Sequence, residues 1–582
     1  MAKRKKSSRS RTVPATPGSI ARSACGTLCS YTLGAVPIID RILQRMKLEE
    51  FLQAYLPREH RRSKLATARG LTVLVKNFLL AREPIYGMGE WAAAYAPDAL
   101  GLSPDEVLLL NDDRAGRWMT RLFRSDRPSL LLALVGHIVR EFTLGLDELH
   151  NDSTTVTFTG THKDAAEEQR RGGQKTLAIT WGYNKDHRPD LKQLLYILTI
   201  TSDGGVPVHF RAASGNVTDD TTHCDTWELL RQLAGRKDFL YVADSKLATI
   251  ENMNYIADKQ GRFVSVLPRT RSEDAAFRQR VCNAEVVWQH LWDKTNDEGQ
   301  ILDQFSICDA PVVTPEGYQL WWFKSTRKAQ LDLAARDHRL KRAEQQLCEW
   351  QQKLRSPRSR HREASKVQDA LTEILKNYNV TGLIQVRIEE CLQETYHQQR
   401  PGRPNKDTAY VKNTTMRLDL HYTVDAEAVG RERLTDGIFP LVTNDGKLSA
   451  LDVLHAYKRQ PQIERRFEQL KTDFSVAPVF LKDVGRIEAF LCLYFFALLA
   501  ESLLERELRR AMQREKLESL PLYPEGRDCR RPTTRRIIDV FSPIQRHVFS
   551  RRGTESVVLL TELAPLHRKI LQLLGIPMTI YR

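Results

Sequence analysis

The chain has 582 residues, of which 41% are hydrophobic and 27% are charged, a composition typical of globular proteins. This length suggests roughly three or four domains. Lys and Arg (88) outnumber Asp and Glu (72), which gives a net charge of +16 and a pI near 9.4. Nucleic acid is the commonest partner for such an excess, although a generic basic surface has the same composition. The nine cysteines include no CxxC pair and no Cys/His group with zinc-finger spacing, so neither a disulfide framework nor a structural zinc site is indicated.

Two segments bear on the location of the protein. The first twelve residues of a polar leader, 1–34, carry six Lys or Arg and no acid, without the apolar core of a secretion signal. This predicts a disordered arm that contacts phosphate groups. The longest apolar run, Ala489–Ala500, is shorter than the roughly 20 residues of a membrane span and lies between two glutamates. We therefore predict a buried core helix, no membrane association and a cytoplasmic, nucleoid-associated protein.

The region from Val36 to Phe142 shows helical periodicity throughout. Two helices near its end are separated by the polar turn RSDRP, residues 124–128. A DNA-binding helix–turn–helix and an ordinary helical bundle both explain this pattern. The arginines predicted on the exposed side are Arg114, Arg117, Arg121 and Arg124.

After Leu149 the period changes to that of strands. The predicted strands are Asn151–Thr159, Lys175–Tyr183, Gln193–Thr201, VPVHFRA (206–212), DFLYVAD (238–244) and RFVSVLP (262–268). The third and fourth are joined through Asp203-Gly204-Gly205 as a hairpin. Helices are predicted between the fourth, fifth and sixth, with a stop at Gly235. Hairpin order followed by strand–helix alternation predicts a mixed α/β sheet.

Regular alternation stops after about Thr270. Strand-like pieces occur at Tyr318–Lys324 and Met416–Thr423, and leucines recur every seven residues from Leu333 to Leu354. We predict a helical hairpin that turns at 355–362. The basic loop QRPGRPNK, residues 399–406, is either a minor-groove contact or a solvated linker.

The segment Tyr457–Lys471 is predicted to be one helix with a polar face. Tyr457, Gln460, Glu464 and Lys471 have a spacing that places them at similar angles, and Pro461 suits a first helical turn. An amphipathic surface helix with a charged outer face explains the same pattern. The preceding residues SALD, 449–452, predict a capped start for the helix that leads into it.

Three acids are distinguished by their placement. Asp152 begins the first sheet strand, Asp244 ends the apolar strand FLYVAD, and Glu464 lies on the predicted helix. A carboxylate at the end of a buried strand is costly without a partner, and a metal ion would be one. Three carboxylates that converge at one edge of a sheet can hold two Mg²⁺ ions about 3.5–4 Å apart.

The segments HNDSTTVTF, YVADSKLATIENM and YKRQPQIERRFEQLK, in this order, resemble the active-site segments of bacterial DDE transposases of the IS4-type superfamily. The similarity is greatest to the IS1634-like group. Tyr457, Glu464 and Lys471 match its Y-x2-R-x3-E-x6-K signature, whereas Gln460 replaces the signature's arginine. The resemblance therefore does not supply a phosphate contact at position 460, for which Arg459 and Arg465 are the candidate replacements.

This resemblance implies an RNase H-like catalytic domain in which Asp152, Asp244 and Glu464 bind two Mg²⁺ ions, with Mn²⁺ as a possible substitute. Glu468, one turn further along, is the competitor for Glu464. The resemblance also implies DNA contacts by Tyr457 and Lys471, and Arg459, Arg465 and Lys246 are further predicted DNA contacts. Trp321 and Trp322 are candidates for stacking on an extruded base, although core residues of a strand explain them as well.

The fold class predicted from these features is α/β, with an RNase H-like mixed sheet interrupted by an insertion domain and preceded by a helical DNA-binding region. The predicted domains are a disordered leader (1–34), a helical DNA-binding domain (35–142), the catalytic core (143–269 and 445–515), an insertion domain (270–444) and a basic, helical tail (516–582).

The predicted function is that of an insertion-sequence transposase that acts as a homodimer on double-stranded DNA. It would bind the terminal inverted repeats, cleave the ends and join them to target DNA. A non-catalytic DNA-binding protein derived from a transposase and a related nuclease that hydrolyses without joining are the alternatives.

Overall fold

The structure is a computed structural model that describes residues 21–23, 26–296, 298–308, 311–356, 359–474, 481–550 and 555–581. The chain divides into two compact units. Unit 1 comprises Met1–Ser265 and His455–Arg582, and unit 2 comprises Val266–Leu454.

The strands are β1 (Ala21–Ser23), β2 (Gly26–Thr32), β3 (Glu148–Phe158), β4 (Arg170–Arg171), β5 (Gln174–Lys175), β6 (Lys192–Thr201), β7 (Pro207–Ser214), β8 (Leu240–Ala243), β9 (Arg262–Val266), β10 (Trp288–Thr295), β11 (Ile301–Cys308), β12 (Val312–Val313), β13 (Gln319–Ser325), β14 (Ile384–Gln398), β15 (Tyr410–Val424), β16 (Ile438–Thr443), β17 (Gln545–Ser550) and β18 (Val557–Leu560).

The α-helices are α1 (Val36–Arg45), α2 (Leu48–Tyr55), α3 (Thr67–Leu80), α4 (Met88–Ala93), α5 (Pro104–Val107), α6 (Asp112–Arg124), α7 (Arg127–Glu141), α8 (His223–Ala234), α9 (Ile250–Asp258), α10 (Ser272–Cys282), α11 (Thr326–Arg355), α12 (Ala364–Asn377), α13 (Ala426–Leu434), α14 (Ala450–Lys458), α15 (Pro461–Glu468), α16 (Val484–Arg514), α17 (Thr534–Phe541) and α18 (Pro565–Leu573).

The sheet of unit 1 that carries the predicted acids has the strand order β7-β6-β3-β8-β9. Strands β6 and β7 form an antiparallel hairpin, and β6 also runs antiparallel to β3. Strands β3, β8 and β9 are parallel to one another. Every residue of β6 and β8 is buried, which explains their continuous apolar sequences. The mixed α/β sheet predicted from the sequence is therefore confirmed.

The prediction of a strand at Lys175–Tyr183 is wrong. Only Gln174–Lys175 is a strand, and beyond it Thr180 forms a single bridge to Gln193. The backbone of this segment forms hydrogen bonds with several different parts of the chain. The N–H of Ile179 donates to the carbonyl of Ala165, and the carbonyl of Ala178 accepts the N–H of Gly215. At Gly182 the chain crosses so close to Gly215 that a Cβ would lie 1.9 Å from the carbonyl oxygen. The β-branched residues Thr176 and Ile179 are therefore buried where loops cross, whereas Trp181 and Tyr183 are exposed.

The prediction that the leader is disordered up to residue 34 is wrong for its last part. Strand β2 pairs with β17 in a sheet of order β1-β2-β17-β18. The hydroxyl of Tyr581 donates to the carbonyl of Gly34 at 2.9 Å, close to the same junction. The basic residues 1–12 lie outside the described residues. The partner strand is more than 500 residues away in sequence, so local patterns give no sign of it.

The predicted helix pair before the sheet is α6 and α7. Its polar face differs from the prediction, since Arg117 and Arg124 are exposed but Arg114 and Arg121 are half-buried. The guanidinium of Arg121 donates to the carbonyl of Pro57. Helix α6 also packs against α3 and α16.

The apolar run predicted to form a core helix lies in α16. This helix is long and apolar enough to cross a membrane by length and composition, yet 94% of its most apolar window is buried within the fold. All residues of Ala489–Ala500 are buried. The prediction of a core helix is confirmed.

Unit 2 contains the predicted helical hairpin, formed by α11 and α12, and its buried leucines pack on β14 and β15. Strands β14 and β15 form a long antiparallel hairpin, with the basic loop 399–406 at its tip. Unit 2 also contains the strand order β10-β11-β13-β16. The side chain of Trp322 is 3% exposed and stacks on Phe277 at 3.9 Å between ring centroids, which is a core position. Trp321 is half-buried.

Candidate active site

The segment predicted as one helix at Tyr457–Lys471 is two helices and a π-turn. Helix α14 starts at the predicted Ser449–Asp452 capping box and ends at Lys458, α15 begins at Pro461, and residues 469–473 are π-helical. The chain tightens between the helices, where the N–H groups of Gln462 and Ile463 donate to residues three positions back. Pro461 has no N–H with which to continue the hydrogen bonds of α14, and it occupies the first position of α15. The single polar face predicted from a continuous helix is therefore wrong.

Gln460 fixes this break to strand β3. The side chain is 7% exposed. Its Oε1 lies 3.1 Å from Nδ1 of His150, and its Nε2 donates to the carbonyl of Asn151 at 3.2 Å. The residue that departs from the transposase signature is thus a buried link between α15 and the strand residues next to Asp152.

Arg459, predicted as a DNA contact, forms a bidentate ion pair with Glu148. Both of its N–O distances are 2.5 Å. Burial acts to raise the pKa of Glu148, but hydrogen bonds from His150 and Arg459 outweigh it and bring the pKa to about 2. This guanidinium is committed to β3, in contrast to Arg465, which is exposed on α15.

Asp152 and Asp244 come from neighbouring central strands of the sheet: Asp152 lies within β3 and not at its start as predicted, and Asp244 directly follows β8. In the parallel pairing of β3 with β8, Asn151 is opposite Ala243, so the two aspartates are the next residue of each strand. The carboxylate of Asp244 accepts the N–H of Lys246 at 3.0 Å, and its carbonyl accepts the hydroxyl of Ser265 at 2.6 Å. The side chain of Lys246 itself is exposed.

The surroundings of Asp152 include two charged residues that the sequence analysis did not identify. The Nζ of Lys185 lies 3.3 Å from Asp152 and 2.9 Å from Asp219. Asp219 also accepts the hydroxyl of Ser153 at 2.6 Å. Burial raises the pKa of Asp152, Lys185 opposes this, and Asp244 adds to it, so that the pKa is about 6.

Tyr457 is the residue whose phenol is affected electrostatically by all three predicted acids. Burial raises the pKa of its phenol, and the charges of Asp244, Glu464 and Asp152 raise it further, to about 12. All three predicted acids therefore act electrostatically on the same phenol. Glu464 itself is exposed in the first turn of α15, and so is Glu468 one turn later.

The donor set fits a divalent cation in its chemistry. Carboxylate oxygens are the ligands that Mg²⁺ prefers, and a bound cation would offset the burial and the Asp244 charge that raise the pKa of Asp152. Within the described part of the chain, however, no three His, Cys, Asp or Glu side chains are gathered closely enough to hold an ion together. Glu464 would have to approach the two aspartates for all three to bind.

Lys471, a predicted DNA contact, and His223, which lies near Asp244, each have a defined partner in the fold. The Nζ of Lys471 lies 2.6 Å from Asp186. His223 is buried, which lowers its pKa to about 4 despite the nearby Asp244, and its Nδ1 lies 3.0 Å from the hydroxyl of Tyr241. Lys185 and Asp186 come from an irregular segment, and Asp219 begins a 3-10 helix of four residues, so no periodic pattern marked them. The two adjacent acids Asp219 and Asp220, just before α8, were the signal in the sequence that could have pointed to a further charged residue near Asp152.

Asp152 is expected to destabilise the folded state when its carboxyl group is ionised. Because its folded pKa, about 6, exceeds the value of about 4 in an unfolded chain, protonation favours the folded state. The stability it contributes is present below about pH 4 and is lost as the pH rises through about 6. Without divalent cations, we expect Asp152→Asn to raise the free energy of unfolding at pH 8 by up to about 3 kcal/mol and to change it little below pH 4.

Urea unfolding with EDTA at the two pH values measures this effect. A loss of stability at pH 8 in the variant would contradict the prediction. It would show that Asp152 acts as an ordinary stabilising partner of Lys185.

Comparisons with known proteins place the chain in a family. The solved structure of a piggyBac transposase synaptic complex with hairpin DNA is similar at 8% sequence identity and a TM-score of 0.31, over 87% of this chain and 79% of that chain. A comparison with curated proteins finds no match. Residues 146–500 match the family described as the transposase DDE domain, a range that includes Asp152, Asp244 and Glu464. The chain belongs to the DDE-domain family of transposases.

Proposed function

We propose that the protein is an insertion-sequence transposase of the IS4-type superfamily, similar to its IS1634-like group. The observation that carries the proposal is the family match over 146–500, which spans all three acids. The placement of Asp152 and Asp244 on adjacent parallel strands supports it. The shared electrostatic effect of these acids and Glu464 on Tyr457 supports it further.

In this proposal Asp152, Asp244 and Glu464 hold two Mg²⁺ ions, with Mn²⁺ as a substitute. When bound, such ions lower the pKa of an attacking water or 3′-OH and stabilise the leaving oxygen. The protein's part is to fix the acids. The ladder between β3 and β8 sets the two aspartates, and Gln460 ties the start of the Glu464 helix to β3.

The proposed reaction has two in-line displacements at phosphorus. Water first attacks the phosphodiester at an end of the element, and the bond to the 3′ oxygen breaks to leave a 3′-OH. That 3′-OH then attacks a phosphodiester of the target, which joins element to target and releases a target 3′-OH. The same group of acids serves both steps.

In this proposal, basic and aromatic residues near the three acids recognise the DNA. Tyr457 and Lys471 are the proposed contacts to the ends of the element, with the exposed Arg465 and Lys246 as further phosphate contacts. We propose that the protein works as a homodimer on DNA in the bacterial cytoplasm, associated with the nucleoid. Residues 35–142 would contribute to DNA binding, and unit 2 would be the insertion domain of an RNase H-like core.

A strand-transfer assay with pre-cleaved ends tests this function. The ends are taken from the inverted repeats that flank the gene, and the reaction contains a supercoiled target and Mg²⁺. We expect joined products with wild-type protein and none with EDTA. Cleavage of uncut ends without joining of pre-cleaved ends would instead identify a nuclease, and binding without either reaction would identify a non-catalytic DNA-binding protein.

A further inference from the structure

Two consecutive residues of one loop pair with two residues of the proposed site. Lys185 and Asp186 lie between β5 and β6, just after the segment wrongly predicted to be a strand. Lys185 contacts Asp152, and Asp186 contacts Lys471. Opposite charges next to each other in the chain thus reach a proposed metal ligand and a proposed DNA contact.

Lys185 places its positive charge between the carboxylates of Asp152 and Asp219. Its Nζ is within 3.3 Å of Asp152 and 2.9 Å of Asp219, and it donates to the carbonyl of Ser153 at 2.8 Å. Burial acts to lower the pKa of Lys185, but Asp152, Asp219 and Asp244 raise it above its usual value. The ammonium therefore neutralises part of a carboxylate group that a divalent cation would also neutralise.

Asp186 presents oxygen atoms to Lys471. The carboxylate lies 2.6 Å from Nζ of Lys471, and its other oxygen accepts the hydroxyl of Thr155 at 3.4 Å. A carboxylate at this distance from a lysine has the charge and the acceptor geometry of a DNA phosphate oxygen.

The loop is held in place by hydrogen bonds of Asn184. Its Oδ1 accepts the N–H groups of Asp186 and Arg188, and its Nδ2 donates to Gln193 on β6 at 2.9 Å. Gln193 in turn donates to the carbonyl of Tyr183. Lys185 and Asp186 are consequently presented by an anchored turn.

We propose that Lys185 and Asp186 are positioning residues that stand in for the divalent cation and the DNA phosphate until both bind. This inference rests on the proposed function. Lys185 keeps the carboxylates of Asp152 and Asp219 together, and Asp186 keeps Lys471 at the site. Binding of metal and DNA exchanges these internal partners for external ones.

The DNA half is tested with a labelled mixed-sequence duplex and full-length protein without metal. We expect Asp186→Asn to bind about two- to fivefold more tightly than wild type, because an exposed ion pair of this kind is weak but must be broken. The dependence of log K on log salt should steepen by about 0.9 for one added phosphate contact. The gain in DNA affinity should disappear when the Asp186→Asn/Lys471→Ala double variant is compared with Lys471→Ala alone. Unchanged affinity, or a gain that survives Lys471→Ala, would overturn the proposal.

The metal half is tested by Mn²⁺ titration followed by electron paramagnetic resonance. We expect Lys185→Gln to bind Mn²⁺ about tenfold more tightly, since it removes a competing charge next to a carboxylate, and Lys185→Arg to bind as wild type does. Lys175→Gln is the matched control, because Lys175 pairs with Glu168, which is not one of the proposed metal ligands. Equal or weaker binding by Lys185→Gln in a folded protein would contradict the inference.

The two kinds of failure are distinguishable. If wild-type protein joins pre-cleaved ends but neither variant changes its affinity, the stand-in role is wrong and the proposed function remains. If wild-type protein binds neither Mn²⁺ nor DNA, both are wrong.

Discussion

Replacing Glu464 with Gln is expected to abolish strand cleavage while DNA binding stays close to that of wild type. The amide keeps the size and the exposed position of the side chain in the first turn of α15 but removes the charge that a divalent cation requires. Such an ion contributes several kcal/mol to the transition state. Since each 1.36 kcal/mol is tenfold in rate, the cleavage rate should fall on the order of a thousandfold or more.

Glu468→Gln is the matched control. Glu468 is also exposed on α15, one turn further along, so the two variants differ in position and not in chemistry. Cleavage is followed with a labelled end fragment in Mg²⁺, and binding is followed with the same fragment in Ca²⁺. If Glu468→Gln abolishes cleavage and Glu464→Gln does not, Glu464 is not the third acid.

Replacing Arg466 with Ala is expected to lower the free energy of unfolding by about 3–5 kcal/mol, the usual cost of breaking a buried ion pair by removing one partner. The Arg466 side chain is 3% exposed. Its guanidinium pairs with Glu505 at 3.0 Å and donates to the carbonyls of Gly204 and Gly205 at 2.9 and 2.8 Å. The substitution would leave these two carbonyls without a donor that the wild type provides, and Glu505 without its nearest cation.

Arg465 provides the control on the neighbouring position. It is exposed, so Arg465→Ala should change the free energy of unfolding by no more than about 0.5 kcal/mol. Urea unfolding followed by circular dichroism compares the three proteins. A loss below about 1 kcal/mol for Arg466→Ala would mean that this network does not hold α15 against α16 and the β6–β7 turn.

The sheet was predictable because its signals are local. The apolar runs of β6 and β8 and the Gly-containing turn before β7 each specify their own structure. The register that brings Asp152 beside Asp244 follows once β3 and β8 are parallel neighbours. The resemblance to transposases supplied the choice of these acids among all those in the sequence.

The break between α14 and α15 was not predictable from helical spacing. The spacing of Tyr457, Glu464 and Lys471 fits a straight helix, and Pro461 suits a first-turn position within it. Pro461 ends the hydrogen bonds of α14, and the hydrogen bonding of Gln460 with His150 and Asn151, more than 300 residues earlier, fixes the break to β3. A long-range partner of this kind leaves no periodic trace in the sequence.

The charges around Asp152 were missed for the same reason. Lys185 comes from a loop and Asp219 from the start of a short 3-10 helix, and the two meet only in the folded chain. For Trp322, the sequence did mark the residue but could not decide its role. Its pattern allowed either a base-stacking or a core role, and the contact with Phe277 places it in the core of unit 2.

The most direct test of the central claim is anomalous diffraction from crystals of the protein bound to an element end and soaked in Mn²⁺. We expect Mn²⁺ to be bound by the carboxylates of Asp152, Asp244 and Glu464, with Lys185 no longer in contact with Asp152. Mn²⁺ bound away from these aspartates, or held by Glu468 in place of Glu464, would contradict it.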